Sequence, residues 1–181
     1  YEISECLVGS EMCIRDSAKT PEAAAALSKQ SEDGTMLKYY QAILTGELPN
    51  DQGVLKDYLL HDTKDKVTKT VDKDTPGAKY SELEYEVLDV MDTDEGVLSY
   101  VLVELITGRH HQIRAQFAKR KCGIWGDTKY NPKFQKTKKK YKEIGLHASR
   151  LEFDHPTTGE HMVFKHEPEG GAFAILDLDE F

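Results

Sequence analysis

Residues 102–130 read LVELITGRHHQIRAQFAKRKCGIWGDTKY, and the pattern changes period part-way along. Val101, Val103 and Leu105 alternate with Leu102, Glu104 and Ile106, which suits a strand with at least one buried face. Thr107-Gly108 ends it, and Gly108 fits a backbone that needs a positive φ or the close approach of another group. The spacing that follows predicts a short helix from near His110. On it Ile113 and Phe117, four apart, face the core, while His111, Arg114, Ala118 and Lys121 form a neighbouring stripe. Arg114 then sits at the edge of a packed face. A guanidinium there is costly to desolvate unless it meets a carboxylate or phosphate, which it grips with two parallel hydrogen bonds. On helix pattern alone, an exposed arginine is the commoner outcome.

Outward from this stretch the chain reads as alternating scaffold. Thr20-Pro21-Glu22 supplies an N-cap, a first-turn proline and a first-turn acid for a helix through 23–30, closed by a turn at 31–34. Residues 36–44 alternate as a strand, with Tyr40 on the face of Lys38 and Ala42 and Tyr39 on the other. Residues 47–53 form a turn-rich loop and 54–60 a short element. Residues 64–79 are polar and β-branched, broken at Thr75-Pro76-Gly77. Leu83, Tyr85 and Val87 alternate, as do residues 97–103, and residues 92–96 suit a hairpin between them. Residues 146–153 and 161–164 read as two strands joined by His155-Pro156-Thr157-Thr158-Gly159. No internal repeat and no linker interrupts what reads as one domain.

The 181 residues, 39% hydrophobic and 31% charged, suit a globular chain. No apolar run is long enough to span a bilayer and no secretory leader is recognisable, so the expected address is cytoplasmic. Cys6, Cys13 and Cys122 show neither metal-ligand spacing nor an even count, which fits a reduced compartment, with Cys122 as a packing thiol. The net charge of −8 is unevenly divided. Residues 108–143 hold twelve Lys or Arg against Asp127 and Glu143, a net of +10 that leaves −18 for the rest. Charge so segregated implies one face that attracts polyanions. Residues 131–142 dot this basic segment with Phe134 and Tyr141, pairing charge for phosphates with rings for bases. The bland reading is a solvated basic loop.

TGRHHQIR followed by GIWGDTKY resembles the late motif of RluA-type RNA pseudouridine synthases, TGR-x-HQIR and then GD-x-x-Y. LKYYQAILTG is similar to the family's K-x-Y-x-A segment, and IGLHASRLEFDHPTTGE to its LHA…L-x-F-x-HP-x-x-GE segment. The three ordered motifs cover residues 18 to 164, with His110 where the family often has Thr or Ser. The resemblance implies an α+β fold: a mixed, mostly antiparallel sheet with flanking short helices, crossed by the active-site cleft, and neither metal nor organic cofactor. It implies an isomerase that converts uridine in rRNA or tRNA to pseudouridine. An aspartate acts at the ribose or base, the glycosidic bond breaks, and uracil turns and rejoins through C5. Tyr40 takes the place of the family's active-site tyrosine, able to stack on a flipped uracil. Arg114 is expected to pair with the catalytic aspartate and keep it ionised. Lys38, Arg109, His111, Lys119, Arg120, Lys121 and Lys129 are the candidate contacts to structured RNA; no membrane or protein partner is implied. A non-catalytic RNA-binding module on the same fold is the alternative. A metal enzyme using His111 with Asp127 is less favoured. Adjacent His110 and His111 side chains diverge on a helix, and an Asp after Gly126 is more often a turn-former.

Residues 1–17, YEISECLVGSEMCIRDS, stand apart. Residues 7–16 back-translate as CTC GTG GGC TCG GAG ATG TGT ATA AGA GAC, which resembles a transposase sequencing adaptor, so 1–17 is expected to be a non-native leader, a genuine amino-terminal strand being the competing view. In the family an R-L-D-x-x-T-S-G motif carrying the catalytic Asp precedes an A-K-T segment that Ala18-Lys19-Thr20 matches. Counted back, the Asp would fall near Val8, and Asp16 is followed by Ser17-Ala18 rather than by the motif. The expectation is that residues 18–181 are the carboxy-terminal part of one catalytic domain, inactive without that Asp.

Overall fold

The computed structural model describes residues 2–8, 11–136 and 143–176. Nine strands form one sheet: β1 (Glu2–Val8), β2 (Glu11–Ser17), β3 (Leu37–Thr45), β4 (Gln52–Asp62), β5 (Val67–Val71), β6 (Lys79–Thr93), β7 (Gly96–Leu105), β8 (Leu146–Asp154) and β9 (His161–Lys165). Their order is β1-β2-β8-β3-β7-β6-β4-β5, with β9 also on β8. Every pairing is antiparallel except β2 with β8, where Met12 lies opposite His147. Three short helices flank it: α1 (Pro21–Asp33), α2 (Gln112–Lys119) and α3 (Pro132–Gln135). This is the expected α+β architecture.

Helix α1 begins where its caps dictate. The Thr20 hydroxyl accepts the Ala23 N–H at 3.2 Å and Pro21 takes the first helical position. It runs to Asp33, three residues past the expected end at Gln30, where Gly34 closes it at φ 74°. The β6–β7 hairpin turns through 93–96 with Gly96 at φ 97°, as the residue types require.

Side-chain alternation sorts the sheet into two faces. Ala42, Leu44, Leu83, Tyr85, Val101 and Val103 pack against Ile113 and Phe117 of α2. Ile43 and Leu98 point the other way, against Trp125, Phe134 and Phe173. Where β3 meets β8, Tyr39 pairs Arg150 but Tyr40 pairs Ala148, so Ser149 is an extra residue bulged out of β8. The bulge keeps Leu146 and Ala148 on the same face as Leu151 and Phe153. Leu146 serves the α2 side, and Leu151 and Phe153 pack under Leu27 of α1. Phe134, read from sequence as a ring among lysines for bases, is only 3% exposed and packs edge-on to Trp125. Burial of an aromatic in that core outweighs its basic neighbours. Tyr141 and the lysines at 138–142 lie outside the described residues.

Candidate active site

The sequence TGRHHQ builds a loop rather than the start of a helix. Thr107 N–H donates to Glu82 O on β6, and the Thr107 hydroxyl donates to Gln112 Oε1 at 2.9 Å. The same Oε1 accepts the Arg109 N–H at 3.0 Å while Gln112 Nε2 donates to Glu82 O at 3.0 Å. Gln112, 2% exposed, thus closes the loop onto the sheet, a role that helix spacing did not reveal. Gly108 does not need a positive φ; Lys38 Nζ comes within 3.5 Å of where its Cβ would stand, an ordinary contact. His111 holds the left-handed conformation at φ 51°, so α2 begins at Gln112 rather than at His110. That conformation costs about 1–3 kcal/mol and persists only where surroundings over-determine it. His110 and His111, expected to diverge, instead stack at 3.8 Å between ring centroids, because neither is in the helix.

Helix α2 carries Arg114 into a cleft and buries it to 8% exposure. Its Nε donates to Asp127 Oδ2 and its Nη2 to Asp127 Oδ1, both at 2.8 Å, the bidentate geometry that planar guanidinium favours. The carboxylate expected from upstream is therefore met within this chain by Asp127, which is fully buried. Asp127 is also the turn-former that the sequence suggested, accepting the N–H of Lys129 at 2.9 Å and of Tyr130 at 3.1 Å through Oδ1. The spacing GD-x-x-Y was its signal. That turn swings Tyr130 back under the guanidinium, 4.9 Å from ring centroid to Cζ.

The loop 123–131 that delivers Asp127 is fastened along β3. Trp125 N–H donates to Ile43 O, and Thr45 N–H to Gly123 O. Asn131 Nδ2 donates to Thr45 Oγ1 at 2.9 Å and to the carbonyls of Gly123 and Ile124. A Cβ on Gly123 would stand 2.9 Å from Asn131, so only glycine lets the two approach.

Tyr40, half-buried on β3, and Arg114 line one pocket of about 100 Å³ together with Leu105, Arg109, His111 and Leu146. Tyr39 faces the opposite side of the sheet, in an acidic groove with Glu84, Glu86 and Glu104. The shared pocket on one face and the acids on the other match the segregation of charge along the sequence.

The remaining expected RNA contacts divide. Arg109 lines the pocket while its Nε donates to Tyr80 O at 3.1 Å. Lys38 Nζ donates to the Ser31 hydroxyl at 2.7 Å beside the same loop, and Lys129 Nζ to Lys66 O at 2.8 Å. Lys121, at φ 64°, borders a separate depression with Thr45, Val97 and Lys133. Lys119 and Arg120 are turned to a different task. Lys119 Nζ lies 2.7 Å from Asp57 Oδ1 and Arg120 pairs with Asp57 Oδ2, joined by Gln116 Nε2 at 2.8 Å. Burial would raise the Asp57 carboxyl, but the hydrogen bonds from Arg120, Lys119 and Gln116 outweigh it and hold it below its usual range. His111 uses both ring nitrogens internally: Nδ1 is 2.8 Å from Tyr130 Oη and Nε2 is 3.1 Å from Arg114 Nη1. Burial and then the Arg114 charge push its imidazole down to about 4. Cys122 packs in the α2 core with Sγ 3.3 Å from Glu47 O, the packing thiol expected.

The model of the RNA pseudouridylate synthase family matches residues 17–119. The chain is 34% identical over 164 residues to the RNA pseudouridine synthase YlyB of Bacillus subtilis, covering 89% of this chain and 50% of that one. It is 31% identical over 169 residues to ribosomal large subunit pseudouridine synthase D of Neisseria meningitidis serogroup B, covering 89% and 43%. To tRNA pseudouridine synthase C of Salmonella typhimurium it is 30% identical, covering 80% and 59%. The chain therefore spans about half the length of the curated relatives it matches. The structure of human RNA pseudouridylate synthase domain containing 4 shares the fold at a TM-score of 0.67 with 20% identity, over 87% of this chain and 67% of that one. No helix among the described residues is long and apolar enough to cross a membrane. Matched over more than half its length, with the motif residues gathered around one pocket, the chain belongs to the RluA-type family of RNA pseudouridine synthases.

Proposed function

We propose that the intact protein isomerises uridine to pseudouridine in structured RNA, and that the pocket between Tyr40 and Arg114 receives the flipped uracil. The observation that carries this reading is that Tyr40 and Arg114, far apart in sequence, line one pocket, with the guanidinium already aligned by Asp127. A base taken out of its stack needs a ring to lie against and a fixed cation near the reacting carboxylate. Relatives named for tRNA and for the ribosomal large subunit support one of these as the substrate class. Arg109, Lys38 and Lys129 flank the approach and suit phosphate contacts.

The catalytic Asp motif R-L-D-x-x-T-S-G does not occur in these 181 residues, which favours a second reading for the chain as it stands: it retains the cleft without the nucleophile. In that reading residues 1–17 are the non-native leader that the adaptor resemblance suggests. Tritium release from RNA carrying tritium at uridine C5 tests both. The 181-residue chain is expected to give none, and the same chain with the family's R-L-D motif restored ahead of Ala18 is expected to turn over in EDTA as well as without it. Turnover by the chain as given overturns the second reading. No turnover after restoration, in a folded protein, overturns the first.

A further inference from the structure

The strained loop before α2 holds a relay that neither the motif pattern nor the pocket explains. A guanidinium only donates, so His111 Nε2, 3.1 Å from Arg114 Nη1, must present a lone pair. The proton is then on Nδ1 and is donated to Tyr130 Oη at 2.8 Å. Tyr130 Oη also accepts the N–H of Thr68, on β5, at 2.8 Å. The Thr68 hydroxyl in turn donates to His110 O at 2.8 Å. The rings of His61 and His110 lie 4.1 Å apart and those of His110 and His111 3.8 Å apart. Three imidazoles, tilted to one another by 47° and 38°, thus run in close contact from the β4–β5 hairpin to the guanidinium.

The geometry points to His111 as a positioning residue: as the neutral Nδ1–H tautomer it accepts from Arg114 and, through Tyr130 and Thr68, ties the guanidinium's orientation to the β4–β5 hairpin. Its role in catalysis rests on the proposed synthase reading; its tautomer and coupling do not. The groups facing it are Arg114 from α2, His110 from its own loop with His61 behind, and Lys129, Asp127 and Tyr130 from the loop after α2. Cations outnumber Asp127 around the ring, so a second proton on it is opposed on every side but one. A backbone held left-handed at His111 is the local cost of aiming both nitrogens at once. His111 is accordingly withdrawn from RNA contact and assigned to Arg114.

Long-range proton–nitrogen NMR spectra of the nitrogen-15-labelled 181-residue chain read the state of each imidazole nitrogen directly. His111 is expected to carry its proton on Nδ1 and to stay neutral until the pH falls to about 4. A proton on Nε2, or titration at the ordinary 6.5, overturns the proposal. Hydrogen exchange at Arg114 Nε–H, measured against the buried Val101 amide as a control on global opening, reads the coupling. Tyr130→Phe removes the acceptor of Nδ1–H and is expected to populate the other tautomer and speed that exchange about tenfold, the effect of one hydrogen bond to a charged group. His111→Phe, which removes the imidazole, is expected to speed that exchange to the same degree, and the double variant no more than either. Additive accelerations, or none, overturn the relay. These outcomes leave the synthase reading untouched, and absence of turnover in the restored enzyme leaves them untouched.

Discussion

Helix α2 is held at its two ends by two buried aspartates that do opposite things. At its first turn Asp127 grips Arg114 bidentately, and the Arg114 side chain, which lines the pocket, keeps 10% of its surface in solvent. At its last turn Asp57 of β4 gathers Lys119 and Arg120, whose side chains remain 51% and 25% exposed. The chemistry is the same and the solvent access is not. Two water-facing cations around one carboxylate can exchange partners, and cations near a helix C-terminus are favourable in any case, so Asp57 works as a fastener. A buried cation held by a carboxylate on one side and by an imidazole on another has its orientation fixed, as the proposed role of Arg114 requires.

Substitutions separate the two ends. Arg114→Met strands a buried carboxylate and is expected to lower the unfolding free energy by about 3–5 kcal/mol in urea denaturation, with Asp127→Asn on top restoring part of it. If the single variant cost no more than a surface pair, Arg114 would be another fastener and the contrast would fail. Asp57→Asn is expected to cost about 2 kcal/mol through its charged hydrogen bonds. Because the folded Asp57 carboxyl lies below its usual range, its contribution is present above a pH of about 4 and is lost as pH falls through the folded value; the variant should show a flatter acid limb there. His111 acts in a different window. Its folded imidazole is depressed to about 4 from 6.5, so the unfolded chain takes up the proton first, and stability declines as pH falls between those values. His111→Phe should flatten that interval while leaving the Asp57 limb in place. Smallest is Lys119→Ala, at about 0.5 kcal/mol and erased by salt. Loss of RNA retention in this variant without any loss of stability would return Lys119 to the RNA contacts.

Much of this was legible in the chain. The alternation of Leu83, Tyr85 and Val87 and of residues 97–103 gave the central hairpin, and Thr20-Pro21 with Gly34 bounded α1, because local rules and tertiary packing agree there. Tyr40 and Arg114 were legible as a pair through three motifs in order, and their common pocket follows from strand β3 running beneath α2. What pattern could not give was the partnering. Asp127 lies 13 positions and Asp57 62 and 63 positions from the cations they bind, and no periodicity reports a contact across a sheet. The left-handed His111 also hid, since a helical period continues through it while the backbone does not. Phe134 failed for a related reason: a lysine-rich neighbourhood says nothing about which way one ring turns.

The doubled step at Ser149 carries a last consequence. In LHASRLEF the inward positions fall at 146, 148, 151 and 153, one residue out of step for a flat ribbon. Were the bulge straightened with Ser149 drawn into the ladder, everything on one side of it would turn over. Either Leu146 in the wall of the pocket or the seat of α1 would then face the wrong way. Looping one residue out of the ladder is what keeps two tenants on the same side of one strand.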